Sequence, residues 1–163
     1  MNPTLRTPGP ENHAAIRRVH LEAFPTAAEA DLVERLRLDG DAAIELVADR
    51  AGDVIGHVML SRMRAAFPAL GLGPVGILAA HRGQGVADRL IRKALRRARE
   101  GGWRAVFVLG DPAYYCRFGF RAELAAGFDC AWSGPYLMAL PLEGTMPATT
   151  GRIDYAPAFA ELG

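Results

Sequence analysis

The 163-residue sequence has few cysteines, no long apolar run and no excess of charge of either sign. Its two cysteines, Cys116 and Cys130, form no CxxC pair, so we expect free thiols rather than a disulfide framework or a metal site. No stretch approaches the roughly 20 apolar residues of a membrane helix, and residues 1–10 lack the apolar core of a signal peptide. These absences predict a cytoplasmic protein without a membrane partner.

The net charge of +1 gives no overall reason to expect nucleic acid. Eight of the 19 Lys and Arg residues nevertheless fall between Arg82 and Arg104. We interpret them mainly as the solvated face of an amphipathic helix. The alternative is that Arg89 or Arg92 meets the phosphates of a bound nucleotide. Because no aromatic residues are interleaved with these charges, we expect no nucleic-acid partner.

Half of the residues are hydrophobic and 23% are charged, which is enough for one sizeable core. We therefore expect a single domain over residues 1–163. Residues 1–10 form an N-terminal segment, and residues 143–163 form a C-terminal extension in which the alternation of Ile153 and Tyr155 predicts a possible edge strand.

Apolar periodicity and turn residues predict alternating helices and strands, which is typical of an α/β fold. The predicted helices are 11–24, 29–38, 85–100 and 112–118; the predicted strands are 42–49, 54–63, 72–78, 105–109 and 136–142. The turn Ala51-Gly52-Asp53 joins the first two strands as an antiparallel hairpin.

An apolar strand at Val75–Leu78 leads through Gly83 and Gly85 into a long basic helix. The first N–H groups of a helix have no intrahelical partners and lie at the positive end of its dipole. The amides of residues 83–88 are therefore predicted to converge on a phosphate.

Two other phosphate motifs are excluded. A P-loop needs Gly-Lys-Ser or Gly-Lys-Thr, which the chain lacks. The glycines at positions 71, 73 and 76 match G-x-G-x-x-G, but this segment precedes a strand instead of opening a helix, and it contains Pro74.

Arg82-x-x-Gly85-x-Ala87 matches the Arg/Gln-x-x-Gly-x-Gly/Ala signature of the GCN5-related N-acetyltransferase (GNAT) superfamily. Residues 72–78 resemble that family's fourth strand, 103–109 its fifth, and 111–120 the helix that ends in Tyr-x-x-x-Gly-Phe. The resemblance covers approximately residues 11–142. Within the family, the chain resembles a bacterial subgroup whose acceptor is undefined. It implies an α/β GNAT fold with a mixed, mostly antiparallel central sheet, a splayed parallel strand pair and flanking helices.

The same resemblance implies an acetyl-CoA-dependent N-acetyltransferase in which an amine attacks the thioester directly in a ternary complex. The residues that it implies for acetyl-CoA binding are Gly76, Ile77, Leu78, Arg82, Gly83, Gln84, Gly85, Val86, Ala87, Asp88 and Tyr115. Among them, the Leu78 N–H is the expected oxyanion donor and Tyr115 the expected general acid for the leaving thiolate. Tyr114 is expected to be structural, and no metal is expected.

The base that receives the amine's proton is left open between His57, Asp111 and water. A strand histidine is more often structural, and Asp111 is also a predicted helix cap. Cys116 follows Tyr115 directly, but no Cys/His/Asp constellation supports a covalent intermediate.

In this family the loops that select the acceptor correspond to residues 25–29 and 131–135, which include Trp132. Three acids, Glu22, Glu29 and Asp31, are candidates to attract a cationic amine. The acceptor itself, a small molecule or a protein amine, is not predicted. A non-catalytic acyl-CoA-binding or sensing domain is the alternative function, and exposed strand edges make a homodimer a possible partner state.

Overall fold

A computed structural model describes residues 2–162 as a six-stranded sheet covered by helices on both faces. The sheet order is β1-β2-β3-β4-β5-β7, and β6 and β8 form a separate parallel pair. The strands are β1 Thr4–Arg6, β2 Ala42–Arg50, β3 Asp53–Arg62, β4 Ala69–Ile77, β5 Ala105–Leu109, β6 Phe128–Asp129, β7 Leu137–Pro141 and β8 Gly151–Arg152. The helices are α1 His13–Ala23, α2 Ala28–Leu38, α3 Val86–Glu100 and α4 Pro112–Tyr115.

The predicted mixed sheet is confirmed, because β4 and β5 run parallel while every other neighbouring pair in the main sheet is antiparallel. Within residues 2–162, no helix is both long enough and apolar enough to span a bilayer.

Helices α1 and α3 lie on opposite faces of β4. A Cβ placed on Gly76 would lie 2.8 Å from His20 of α1. The next residue, Ile77, lies on the other face, where it and Leu90 of α3 approach Gly56. Adjacent strand residues alternate between the two faces of a sheet. The buried apolar residues of both layers form one core cluster.

The parallel pair β4–β5 separates part-way along its length. Pairing runs from Ala69 opposite Ala105 to Leu72 opposite Val108, and β4 then continues to Ile77 without a partner on that side. A bulge at the same point shifts the β3–β4 register, and it contains Gly73 at φ +136°, in the range that favours glycine. The free edge of β4 is therefore open beyond Leu72.

The N-terminal segment contains a strand that the sequence pattern did not predict. Strand β1 pairs with β2, and the basic face of α3 holds this segment in place. Arg89 donates to the Pro3 carbonyl at 3.3 Å, Lys93 to the Leu5 carbonyl at 3.1 Å and Arg97 to the Thr7 hydroxyl at 2.6 Å. The face is exposed at Arg89, Arg92, Arg96 and Arg99, as predicted, but it also binds the N-terminal segment.

The C-terminal extension packs against the core, but the strand predicted there is misplaced. Ile153 and Tyr155 are buried and lie outside any strand, while β8 immediately before them pairs with β6 rather than with the main sheet. Residues 157–162 form a 3-10 helix that packs on α2. Between Ile153 and Tyr155, Asp154 forms a single antiparallel bridge with Arg64, so pairing with the chain that follows β3 is limited to one residue.

Candidate functional site

A cavity of about 370 Å³ lies where β4 turns into α3, and we call it the polar cavity because five of its lining side chains are polar or charged. Gly83 and Gly85 have φ values of +75° and +77°, and α3 begins at Val86 with Gly85 as its N-cap and no capping side chain among the described residues. The first helical bond is the one from the Arg89 N–H to the Gly85 carbonyl. The preceding amides of the helix are therefore unpaired within the helix and free for an anion.

Most of the residues expected to bind acetyl-CoA do line this cavity. The lining residues are Ile77, His81, Arg82, Gly83, Gly85, Val86, Ala87, Asp88, Tyr114 and Arg117. Gln84 is absent from the lining and accepts a hydrogen bond from Arg50 at 3.3 Å. Gly76, Leu78 and Tyr115 also lie outside it. Arg82 donates to the Ile77 carbonyl at 3.2 Å and so fixes the turn to the end of β4.

Asp88 is held by two residues from the α4 region that sequence reasoning did not assign to this site. The Tyr114 hydroxyl donates to Asp88 Oδ1 at 2.7 Å, and Arg117 donates to Oδ2 at 3.2 Å. Burial favours the neutral acid, but these two bonds outweigh it and lower the pKa of Asp88. Burial and the carboxylate together raise the pKa of Tyr114. Tyr114 thus has a site contact besides its packing role.

The expected oxyanion donor, the Leu78 N–H, is already engaged. It donates to the Ile55 carbonyl of β3 at 2.9 Å. In an antiparallel pair, the N–H groups of every second residue point to the same neighbouring strand, and those of the residues between them point away from it. With Gly76 opposite His57 and Ile77 opposite Gly56, the N–H groups of Val75 and Ile77 point instead toward the open edge of β4. The Leu78 N–H is therefore not free to act as the predicted donor.

A second cavity, of about 340 Å³, lies at the separation of β4 and β5 and is mainly apolar. We call it the aromatic cavity. Its lining residues are Phe24, Glu29, Leu32, Leu72, Gly73, Pro74, Val75, Leu109, Tyr115, Trp132, Tyr155, Phe159 and Leu162. Both predicted acceptor loops, 25–29 and 131–135, contribute to it. The three residues from the C-terminal extension were not predicted.

Tyr115 is half-buried in the aromatic cavity. Its ring lies so close to Gly110 that any side chain at that position would overlap it. Its neighbours on the other side are Phe118 and Phe120, with ring centroids 6.2 Å and 6.0 Å away. Burial raises the pKa of Tyr115, so the hydroxyl is protonated at neutral pH.

Neither side chain proposed as a base lines the aromatic cavity. His57 is fully buried and hydrogen-bonded on both ring nitrogens, to Glu45 at 2.8 Å and to His20 at 2.7 Å. Asp111 caps α4 by accepting a hydrogen bond from the Ala113 N–H at 3.0 Å. Cys116 is exposed, and its thiol contacts only the Ala113 carbonyl among the described hydrogen bonds.

Comparison with known proteins agrees with this geometry. The family model described as "Acetyltransferase (GNAT) family" matches residues 11–120. The chain belongs to the GNAT acetyltransferase family.

Similar proteins include one from Escherichia coli and one from Brucella melitensis. The uncharacterised N-acetyltransferase YhbS of E. coli K12 is 38% identical over 146 residues, which cover 84% of this chain and 86% of YhbS. The crystal structure of E. coli YhbS in complex with CoA has a TM-score of 0.90 at 32% identity, covering 100% of this chain and 94% of that one. The Brucella melitensis GNAT acetyltransferase, crystallised with acetyl-CoA, has a TM-score of 0.82 at 33% identity, covering 96% of this chain and 97% of that one.

Within the GNAT fold of this chain, the three acids near the acceptor loops have different surroundings. Glu22 accepts a hydrogen bond from the Ala79 N–H at 3.2 Å, and Asp31 is paired with Arg17 at 2.9 Å. Only Glu29 of the three lines the aromatic cavity. Among residues 2–162, no group of three His, Cys, Asp or Glu side chains is arranged to hold a metal ion.

Proposed function

We propose that this protein transfers the acetyl group of acetyl-CoA to an amine by direct attack in a ternary complex. One observation carries the proposal: the free edge of β4 joins the polar cavity, which Ile77 lines, to the aromatic cavity, which Val75 lines. An extended pantetheine chain along this edge would connect phosphates at one end to a thioester at the other. The CoA and acetyl-CoA complexes of the similar GNAT structures support acetyl-CoA as the cosubstrate.

The pyrophosphate would bind to the amides of residues 83–88, at the positive end of α3. Arg82, Gly83, Gln84, Gly85, Val86, Ala87 and Asp88 would act chiefly through their main chain. Gly76, Ile77 and Leu78 would position the pantetheine. Because Gly83 and Gly85 leave open space where a Cβ would stand, a phosphate can approach the backbone closely.

In the chemical step the amine nitrogen forms a bond to the thioester carbonyl carbon, and negative charge develops on the carbonyl oxygen. The N–H groups of Val75 and Ile77 replace that of Leu78 as our proposed oxyanion donors. The C–S bond then breaks, and Tyr115 donates a hydrogen bond to the departing thiolate. Since neither His57 nor Asp111 lines the aromatic cavity, water receives the proton that the amine loses.

We further propose that residues 1–163 form one domain that works in the cytoplasm. A single core cluster and two free cysteines support this view. The engagement of Arg89, Lys93 and Arg97 by the N-terminal segment argues against a nucleic-acid role. A homodimer stays a prediction that sedimentation velocity would test.

The proposal is tested by titrating acetyl-CoA calorimetrically into the wild type, Gly85→Glu and Gly40→Glu. Gly40 is a matched control, because its φ is +76° and, as at Gly85, nothing lies within 4 Å of the point where a Cβ would stand. Both variants carry the same backbone strain and added charge. We expect Gly85→Glu to lose at least about 100-fold in affinity, or about 2.7 kcal/mol, and Gly40→Glu to bind as the wild type does.

Failure of the folded wild type to bind acetyl-CoA would contradict the proposal. Binding without acetylation of any amine in a broad acceptor panel, followed by mass spectrometry, would instead favour the alternative, a non-catalytic acyl-CoA-binding domain.

A further inference from the structure

Two polar atoms of the aromatic cavity have no hydrogen-bond partner among residues 2–162. These are Glu29 Oε1 and the Tyr155 hydroxyl, and both atoms are buried. An unsatisfied buried polar group is costly, so natural proteins rarely keep one without a reason. Because both residues line the same cavity, a ligand that enters it can supply the missing partners.

The chemistry of these atoms restricts the ligand. A carboxylate accepts hydrogen bonds and carries negative charge, so Glu29 requires an N–H or O–H donor and favours a cation. Within the described part of the chain, Glu29 is the only carboxylate of the lining, and no Lys or Arg lines the cavity. The remaining lining is aliphatic or aromatic, and aromatic faces attract cations.

The neighbouring acids, in contrast to Glu29, have hydrogen-bond partners. Asp31 lies on the same helix but is paired with Arg17, and Glu22 is bonded to the backbone of Ala79. Among residues 2–162, the one carboxylate with an unpartnered, buried oxygen is thus also the one that shares a cavity with Tyr115.

We propose that Glu29 binds the ammonium group of the acceptor, and that the acceptor is a small primary amine with a single positive charge and an apolar body. This inference rests on the proposed acetyl transfer and deepens it. A polyamine or an aminoglycoside would bring further charges that the lining cannot pair, and an acidic amine would meet Glu29 with a like charge. The cavity volume of about 340 Å³ suits a compact molecule.

The test uses 2-phenylethylamine and its uncharged analogue 2-phenylethanol as probes. Calorimetric titrations of both into the wild type, Glu29→Gln and Asp31→Asn measure how strongly each protein prefers the ammonium. We expect the wild type to bind the amine at least about tenfold more tightly than the alcohol, as for a buried charge pair. Glu29→Gln should lose this preference, whereas Asp31→Asn should keep it.

An unchanged preference in Glu29→Gln, or no amine binding by the wild type at millimolar concentration, would overturn the inference. This readout needs no acetyl-CoA, so it stays decisive if the proposed acetyl transfer fails. With acetyl-CoA present, the KM for 2-phenylethylamine should rise at least about tenfold in Glu29→Gln while acetyl-CoA affinity is unchanged. Thermal unfolding of each variant checks that the near-isosteric substitution leaves the fold intact.

Discussion

The polar cavity and the aromatic cavity share one strand, β4, but one offers mainly main-chain groups and the other mainly side chains. The polar cavity consists largely of one continuous stretch, residues 77–88, and offers main-chain amides at the start of α3. The aromatic cavity draws side chains from Phe24, just after α1, to Leu162 in the C-terminal extension, and it offers apolar surface with a single carboxylate among the described residues. This difference fits our proposal that main-chain groups bind acetyl-CoA, whereas side chains select the acceptor.

The largest effect is expected at the junction of the two regions. Tyr115→Phe removes the hydroxyl that we propose stabilises the thiolate, so kcat should fall about 100-fold. Acetyl-CoA affinity should stay unchanged, because the phosphates bind elsewhere. The matched control is Tyr136→Phe, since Tyr136 is 62% exposed. Steady-state kinetics and calorimetry measure both quantities, and an unchanged kcat in Tyr115→Phe would assign the residue to packing.

The next effect concerns the buried chain Glu45–His57–His20, which lies beneath β4 at Gly76. Burial lowers the pKa of His20 to about 3 and also lowers that of His57. Burial opposes the charge of Glu45 as well, but hydrogen bonds from His57 and Arg37 outweigh it and lower the pKa of Glu45 to about 2. Unfolding restores ordinary values, so the unfolded chain binds more protons than the native protein in acid.

Acid should therefore destabilise the fold, beginning as the pH falls below about 6.5. For His20 alone, we expect the free energy of unfolding to drop by about 2 kcal/mol from about pH 7 to about pH 5. Urea denaturation across this range measures the slope, which His20→Phe should reduce. His81→Gln, at the edge of the polar cavity, serves as the matched control. An identical slope in His20→Phe would contradict the assignment.

The sequence predicts the polar cavity better than the aromatic cavity. Gly83 and Gly85 identify the polar cavity because its function lies in consecutive residues. Which amides of β4 are free depends on a bulge and on pairing with β3, and neither can be read from the sequence around Leu78, whose N–H is engaged. Glu22, Glu29 and Asp31 look alike in sequence, since only the tertiary packing shows which one loses its partners. Tyr155 and Phe159 join the cavity through long-range packing that periodicity cannot indicate.

Truncating one side chain in each region compares side-chain binding in the aromatic cavity with main-chain binding in the phosphate turn. Trp132→Ala removes an aromatic wall of the acceptor cavity, so the KM for the preferred amine should rise about tenfold. Gln84→Ala, within the predicted phosphate turn, should change acetyl-CoA affinity by less than about twofold, because the backbone does the binding. A large loss of acetyl-CoA affinity in Gln84→Ala would show that side chains matter there as well.

The smallest expected effect is at Asp88, whose negative charge lies in the polar cavity beside the proposed phosphates. Asp88→Asn removes that charge and frees Arg117, so acetyl-CoA affinity should increase about threefold. Calorimetry at low and high salt measures this change in acetyl-CoA affinity. Weaker binding would instead assign Asp88, through Tyr114 and Arg117, to holding the cavity in shape.

A crystal structure of this protein with acetyl-CoA would show both cavities at work in one experiment. We expect pyrophosphate oxygens at hydrogen-bond distance from the amides of residues 83–88, and the acetyl group beside Tyr115 at the aromatic cavity. A pyrophosphate bound instead to Arg89 and Arg92 on the outer face of α3, or an acetyl group remote from Tyr115, would contradict this expectation.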